Sequence, residues 1–255
     1  MAFWIERGGR RVLFDTGQGM VLAHNAAGLG IDLSTADDVG LSHGHYDHTG
    51  GLLAALLQFS RATVHAHLTA FRDRFVEDAP NVGRSVRSPI ESFDWLKSRV
   101  GKMVPTGSQP VEMGEGVWLT GQIPRRNDFE DTGGAFYLDE ACTQPDAIVD
   151  DQAVYMKTSK GLVVLLGCAH AGVVNTLDHV LAVTGEPHVH AVLGGMHLLN
   201  AGERRLEQTV RRLRELDVER IGLAHCTGFA AMARLHHELP NRCFHCTVGT
   251  RIEFD

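Results

Sequence analysis

Apolar residues along the chain fall in short runs that end on glycine or on a polar cluster. Phe3–Glu6 and Arg11–Phe14 flank Gly8-Gly9 and read as a hairpin. Val39–Ser42, Ala62–His67, Gly116–Gly121, Ala153–Lys157, Leu162–Leu166, His188–Leu193 and Arg220–Ala224 predict further strands, and Val248–Phe254 a closing one. Leu162–Leu166 has no polar residue, as expected of a strand buried on both faces. Helical stretches are predicted over Met20–Ala27, Leu52–Phe59, Thr69–Val76, Ile90–Val100, Val173–Val183, Glu203–Leu216 and Phe229–Leu239. In Glu203–Leu216 the apolar positions Leu206, Val210 and Leu213 are spaced four and three, which is one helix face. Strands and helices follow one another in two similar halves, without a repeat of solenoid type. This order predicts one α/β domain across residues 1–255.

Two stretches escape the pattern. Asn81–Pro89 is polar, contains glycine and proline, repeats arginine, and reads either as an anion-binding loop or as a solvated connector. Asn127–Pro145 is a long loop rich in Asp, Glu and Gly, expected to form a lid or rim.

The chemistry concentrates where Val39–Ser42 ends. His43, His45, Asp47 and His48 put three imidazoles and a carboxylate within six residues. Those donors suit zinc, iron or manganese. Their spacings of two, two and one do not match the three or four of a helical ligand pair, so they belong on a turn. His43 and His45 then face one way, Asp47 and His48 another, which suits two adjacent ions. His65 and His67 share the two-residue spacing but have no carboxylate or glycine turn beside them, and are read as structural. His188 and His190 are read as structural or surface residues, since no other ligand type accompanies them in sequence. Cys243-Phe244-His245-Cys246 has Cys-x-x-Cys spacing, a weak zinc signal without a second pair.

Composition narrows the class. The formal charge is −7, and the arginines at 204, 205, 211, 212 and 214 are interleaved with glutamates, so nucleic acid is not an expected partner. Five cysteines, an odd number, argue against a disulfide framework. No leader-like or membrane-length apolar run is visible. The expected setting is cytoplasmic, with a homo-oligomer as one option.

His43-x-His45-x-Asp47-His48 followed by Thr49-Gly50-Gly51-Leu52 resembles the signature of the metallo-β-lactamase fold superfamily, and Phe14-Asp15-Thr16-Gly17 is similar to its upstream motif. Gly167-Cys168-Ala169-His170, Gly194-Gly195-Met196-His197 and His225-Cys226-Thr227-Gly228 resemble the subgroup named after 7,8-dihydropterin-6-methyl-4-(β-D-ribofuranosyl)aminobenzene-5'-phosphate synthase. The resemblance covers Phe3 to about Gly249. It implies a four-layer αββα sandwich of two mixed sheets flanked by helices, with the site at the edge of the sheets. It implies His170 as third ligand beside His43 and His45, and His225 with Asp47 and His48 on a second ion. Asp15 would buttress the metal loop. The superfamily's usual histidine and aspartate around the Ala153–Leu166 hairpin are replaced by Asp150-Asp151 and Gly167-Cys168. Cys168 is then either a buried free thiol or a thiolate ligand, and Asp151 supports a metal or a ligating histidine. His197 is assigned to substrate binding or proton transfer, with metal ligation as the alternative. Arg125, in Gly121-Gln122-Ile123-Pro124-Arg125, matches a family motif and is assigned to an anionic group.

Two divalent ions, zinc first and manganese or iron as alternatives, would share a water whose pKa falls toward 7. Asp47 would ligate or orient it. The expected activity is a metal-dependent hydrolase acting on a small anionic, phosphate-bearing molecule. The alternative is a transferase joining a dihydropterin diphosphate to an aminobenzene ribose phosphate. Redox, nucleic-acid-processing, antibiotic-hydrolysing and non-catalytic roles fit less well, because the four-residue core motif is intact and no flavin domain, basic arm or secretion signal accompanies it.

Overall fold

The structure, a computed structural model, describes residues 1–56 and 62–254. The Phe3–Arg7 and Arg10–Phe14 strands pair antiparallel around Gly8 and Gly9, both at positive φ, the backbone a two-residue hairpin turn needs. Asp38–Gly40, Thr63–His67 and Lys102–Thr106 then add in parallel to complete a five-stranded sheet. A seven-stranded sheet faces it. From one edge it runs Cys243–His245, Arg220–Ala224, Val189–Gly195 and Gly161–Leu166 in parallel, then Val154–Thr158, Val117–Leu119 and Val111–Gly114 antiparallel.

Three apolar layers follow from side-chain alternation. Val12 and Phe14 point to the core between the sheets, and Leu13 points to the other face. Val163 and Leu165 likewise face the inter-sheet core, while Leu162, Val164 and Leu166 face the helices Val173–Thr184, Glu203–Glu215 and Phe229–Glu238. Both faces of these strands are covered, which is why their sequences lack polar alternation. The first sheet packs its outer face on Ala26 of the Leu22–Gly28 helix, Leu52 of Gly51–Leu56 and Leu96 of Phe93–Lys97. The result is the helix–sheet–sheet–helix sandwich.

Some elements differ from their sequence reading. The helix expected over Thr69–Val76 is a turn leading into the strand Phe75–Ala79, which pairs with Val82–Ser85 and Phe136–Tyr137 in a small antiparallel sheet. The polar stretch at Asn81–Pro89 is thus largely a hairpin arm, and Arg84 and Arg87 pair with Asp78 and Asp73 of its own neighbourhood. The Ile90–Val100 helix shrinks to Phe93–Lys97, started by the Ser92 side chain accepting from Trp95 N. Val248–Phe254 forms no ladder. The edge strand is Cys243–His245, and the tail contributes Ile252 and Phe254 to the inter-sheet core instead. Residues 57–59 of the predicted Leu52–Phe59 helix lie outside the described residues. No helix among the described residues is long and apolar enough to cross a membrane.

Candidate metal centre

Strand ends deliver the chemistry. The Asp38–Gly40 strand runs into Leu41-Ser42 and then the loop carrying His43 and His45, and a short helix at Tyr46–Thr49 presents Asp47 and His48. Three parallel neighbours of the large sheet end beside them. Gly161–Leu166 leads to Cys168 and His170, Val189–Gly195 to His197, and Arg220–Ala224 to His225. Ligands at carboxyl ends of parallel strands sit on loops that a rigid sheet aims.

Two donor sets form side by side. In the first, His43 Nε2 is 3.0 Å from His45 Nδ1, and His170 joins them with all three ligand atoms within 4.8 Å of one another. In the second, His48 Nε2 is 3.0 Å from Cys168 Sγ and 3.1 Å from His225 Nε2, and Asp47 Oδ2 is 3.1 Å from His225 Nε2. The His43 and His48 ring centroids are 4.3 Å apart, so the sets adjoin.

These donors fit divalent ions. Donors about 2.0–2.1 Å from a tetrahedral metal must lie about 3.3 Å from each other, near the spacings seen here. The buried His170 Nε2 has no hydrogen-bond partner, while its Nδ1 is held by the Thr132 carbonyl at 2.8 Å. An orphaned imidazole nitrogen, fixed by its opposite nitrogen, is the arrangement of a metal ligand. His48 is held the same way, with Nδ1 2.6 Å from Asp15 Oδ2. Asp15 also accepts from the Ser42 amide at 2.7 Å and hydroxyl at 2.8 Å. That clamp is made from a left-handed backbone, at φ 62°.

Electrostatics prepare the sets differently. Burial pushes His43, His45 and His170 well below the usual imidazole value, helped by neighbouring imidazoles at His43 and His170 and by Arg74 at His45. They are therefore neutral, with lone pairs available. Burial also works downward on His48, but the Asp15 carboxylate outweighs it and raises this imidazole. Asp47 goes the other way: burial would raise its carboxyl, yet the His225 hydrogen bond and the His48 charge hold it well below the usual range. Cys168 is pushed well up by burial and by Cys226, whereas Cys226 is drawn down by its bonds to Cys168 and His197 despite burial. A bound cation deprotonates a coordinating thiol outright.

The remaining sequence assignments land as follows. His197 packs against His170 with the rings tilted by 44° and 4.3 Å between centroids, and it also groups with Cys168 and Cys226. A Cβ at Gly194, which precedes it, would collide with the Leu166 carbonyl of the neighbouring strand. Arg125 lines a cavity of about 410 Å³ with Phe136 and Tyr137, but its Nη2 already donates to the Ala147 and His170 carbonyls. Asp151 joins neither donor set. Its Oδ2 accepts from Ala171 N at 2.7 Å and braces the His170 turn, and burial raises its carboxyl to about 7. His65 and His67 stay apart: His65 bonds Asp38 at 2.8 Å and His67 bonds Thr69.

Several residues escaped the sequence reading. Asp150 is wholly buried, accepts from Gly44 N at 2.8 Å and pairs with buried Arg74 at 2.6 Å, fixing the loop from beneath. Gly44 has no room for a side chain there, against the Ala70 carbonyl. Phe136 lies 5.0 Å from His45, and Glu130 accepts from Val174 N and Asn175 N, tying the long loop to a helix start. An acidic doublet directly before a buried strand was a usable signal for Asp150. Nothing local marks Glu130 or Phe136.

Known proteins bear on this geometry. The family described as the metallo-β-lactamase superfamily matches residues 1–120. The 7,8-dihydropterin-6-methyl-4-(β-D-ribofuranosyl)aminobenzene-5'-phosphate synthase of Methanocaldococcus jannaschii is 30% identical over 258 residues, covering 96% of this chain and 85% of that protein. The chain belongs to the metallo-β-lactamase superfamily. Among solved structures of metallo-β-lactamase type, Tm1679, described as a metal-dependent hydrolase of the β-lactamase superfamily, superposes with a TM-score of 0.80 at 30% identity, over 95% of this chain and 88% of that one. A diphosphatase of the PhnP family shares the fold at a TM-score of 0.58 and 13% identity, over 100% of this chain and 84% of its own. In this metallo-β-lactamase superfamily chain, then, the sandwich and the clustered donors come from the same set of strand-ending loops.

Proposed function

We propose that the chain is a metal-dependent hydrolase with two divalent ions, acting on a small, anionic, phosphate-bearing molecule. The observation that carries this reading is the pair of adjoining donor sets, His43, His45 and His170 beside Asp47, His48, Cys168 and His225. Two imidazoles and a thiol with one carboxylate favour zinc over manganese, which prefers oxygen donors. When bound, such a pair supplies Lewis acidity and a water ionisable near neutral pH. Asp15 holds His48 in the tautomer and orientation that leaves Nε2 for the second position. Asp47, ionised, supplies the carboxylate of the second set, 3.1 Å from His225 Nε2. His197, beside His170 and facing the same space, hydrogen-bonds the substrate anion or passes a proton to the leaving group. Arg125, with Phe136 and Tyr137, bounds the adjoining cavity and adds positive charge to that rim. A cytoplasmic setting agrees with five free cysteines, which a reducing compartment preserves.

A second reading has its own support, because the 30% identical relative is named a synthase. In that case the amine nitrogen of the aminobenzene, instead of water, attacks the methylene carbon that bears the diphosphate, a C–N bond replaces the C–O bond, and diphosphate leaves. Both readings place a phosphate-bearing electrophile at the centre. The test combines metal counting with turnover. About two ions per chain and release of phosphate from small phosphate esters are expected. A protein that hydrolyses no phosphoester, lactone or thioester, yet joins a dihydropterin diphosphate to an aminobenzene ribose phosphate, would replace hydrolase by transferase. Absence of metal after reconstitution would remove both.

A further inference from the structure

We propose that His188, His190 and Glu219 form a separate binding position for one zinc-like divalent ion, remote from the centre described above. His188 and His190 stand two apart where the Val189–Gly195 strand begins, so alternation puts them on one face. Glu219 immediately precedes the neighbouring parallel strand Arg220–Ala224, and its amide donates to the His190 carbonyl at 3.2 Å. The backbone ladder therefore sets all three side chains together. His188 Nε2 is 3.2 Å and His190 Nδ1 3.1 Å from the same Glu219 oxygen, Oε1. Those are the spacings of donors around a tetrahedral ion, about 3.3 Å.

One detail separates this from an ordinary ion pair. His190 is only 5% exposed, and its Nδ1, although 3.1 Å from the carboxylate oxygen, has no hydrogen-bond partner. The two atoms are close but misaligned for a shared proton. Leaving a buried imidazole nitrogen unpaired is unfavourable, and a cation there would satisfy it. The Phe254 ring meets His190 edge-on at 5.9 Å, closing the inner side, while His188 and Glu219 keep the outer side open to solvent. Two imidazoles and one carboxylate form a three-ligand set that leaves a fourth position to water.

The position lies at the start of a strand whose other end leads to His197. Seven residue steps at about 3.3 Å put His190 and His197 up to about 23 Å apart along the chain, so neither position shares a ligand with the other. An ion there would tie the starts of two central parallel strands. Its role is to clamp the sheet, and it is independent of the hydrolase reading.

The experiment titrates zinc into protein already loaded at its catalytic centre, with wild type, His188→Ala and Glu219→Gln compared. Both changes fall on partly exposed side chains, so the variants should fold. Wild type should bind one more ion per chain than either variant, or bind it at least about tenfold more tightly, since even indirect ligand support is worth 10–100-fold. Added zinc should raise the wild-type Tm more than that of either variant. Equal stoichiometry, affinity and Tm shift in all three would overturn the proposal. So would an additional ion lost in a Cys243→Ser, Cys246→Ser double variant and retained in Glu219→Gln.

Discussion

His48 sits where two demands meet: one nitrogen must be gripped by Asp15 and the other left for the second donor set. Replacing His45 or Asp47 by Ala should remove one bound ion and activity together, by elemental analysis and turnover. His65→Ala should leave the ion count unchanged and lower stability by about 1–3 kcal/mol, because Asp38 then loses a buried partner. A lost ion in that variant would mean the wrong histidine pair was assigned. Cys168→Ser should weaken the second position selectively and abolish the sulfur-to-metal charge-transfer band of a cobalt-substituted protein. An unchanged spectrum would return Cys168 to the status of a buried thiol. Asp151 supplies a pH signature. Its folded value near 7 lies above the ordinary 3.8, so the folded state binds the extra proton. Its contribution to stability is therefore present at low pH and lost as pH rises from about 4 to 7, by on the order of 1.4 kcal/mol per unit. Asp151→Asn should lack this slope in denaturant titrations. A parallel pH profile for both proteins would show that Asp151 is an ordinary carboxylate in the fold. At this scale the His43–His48 cluster was legible because its spacing is short and local. The Asp150 contact with Gly44 and the Phe136 contact with His45 were not, because those partners are far away in sequence, although the acidic doublet itself marked Asp150.

The element most exposed to perturbation is the long loop that supplies Thr132 and Gly133 to the centre. Its anchor is Glu130, whose carboxylate takes two amides at the start of the Val173–Thr184 helix at 2.8 Å each. This works as a cap supplied from outside the helix, at the end where negative charge is favoured. Glu130→Ala should cost about 1–2 kcal/mol, with Glu130→Gln recovering part of it. The same variant should raise KM more than it lowers kcat if the loop bounds the substrate. An unchanged KM would show that the loop is merely a connector. Alternation and turn glycines made the hairpin, the buried strands and the three long helices readable. The small sheet was hidden because Phe75–Ala79 is mostly exposed and polar, and its partner Phe136–Tyr137 lies in a stretch with no periodicity. Val248–Phe254 misled because alternating apolar residues mark burial, and Ile252 and Phe254 are packed without being paired.

For the whole molecule, the proposed ions would be held by buried imidazoles that both sheets deliver. Chelation should therefore lower Tm, with recovery on adding zinc back, since anything bound only by the folded state stabilises it. Identical melting with and without chelator would argue that the donor sets are satisfied without metal. The two sets also differ in how much chain they span. His43, His45 and His170 complete one, whereas the other waits for His225, delivered by the strand after the long Glu203–Glu215 helix. During synthesis the chain emerges from the amino terminus. The first ion position can thus be assembled once residue 170 has cleared the ribosome, and the second only after residue 225. With two ions bound as proposed, loading would follow the direction of translation.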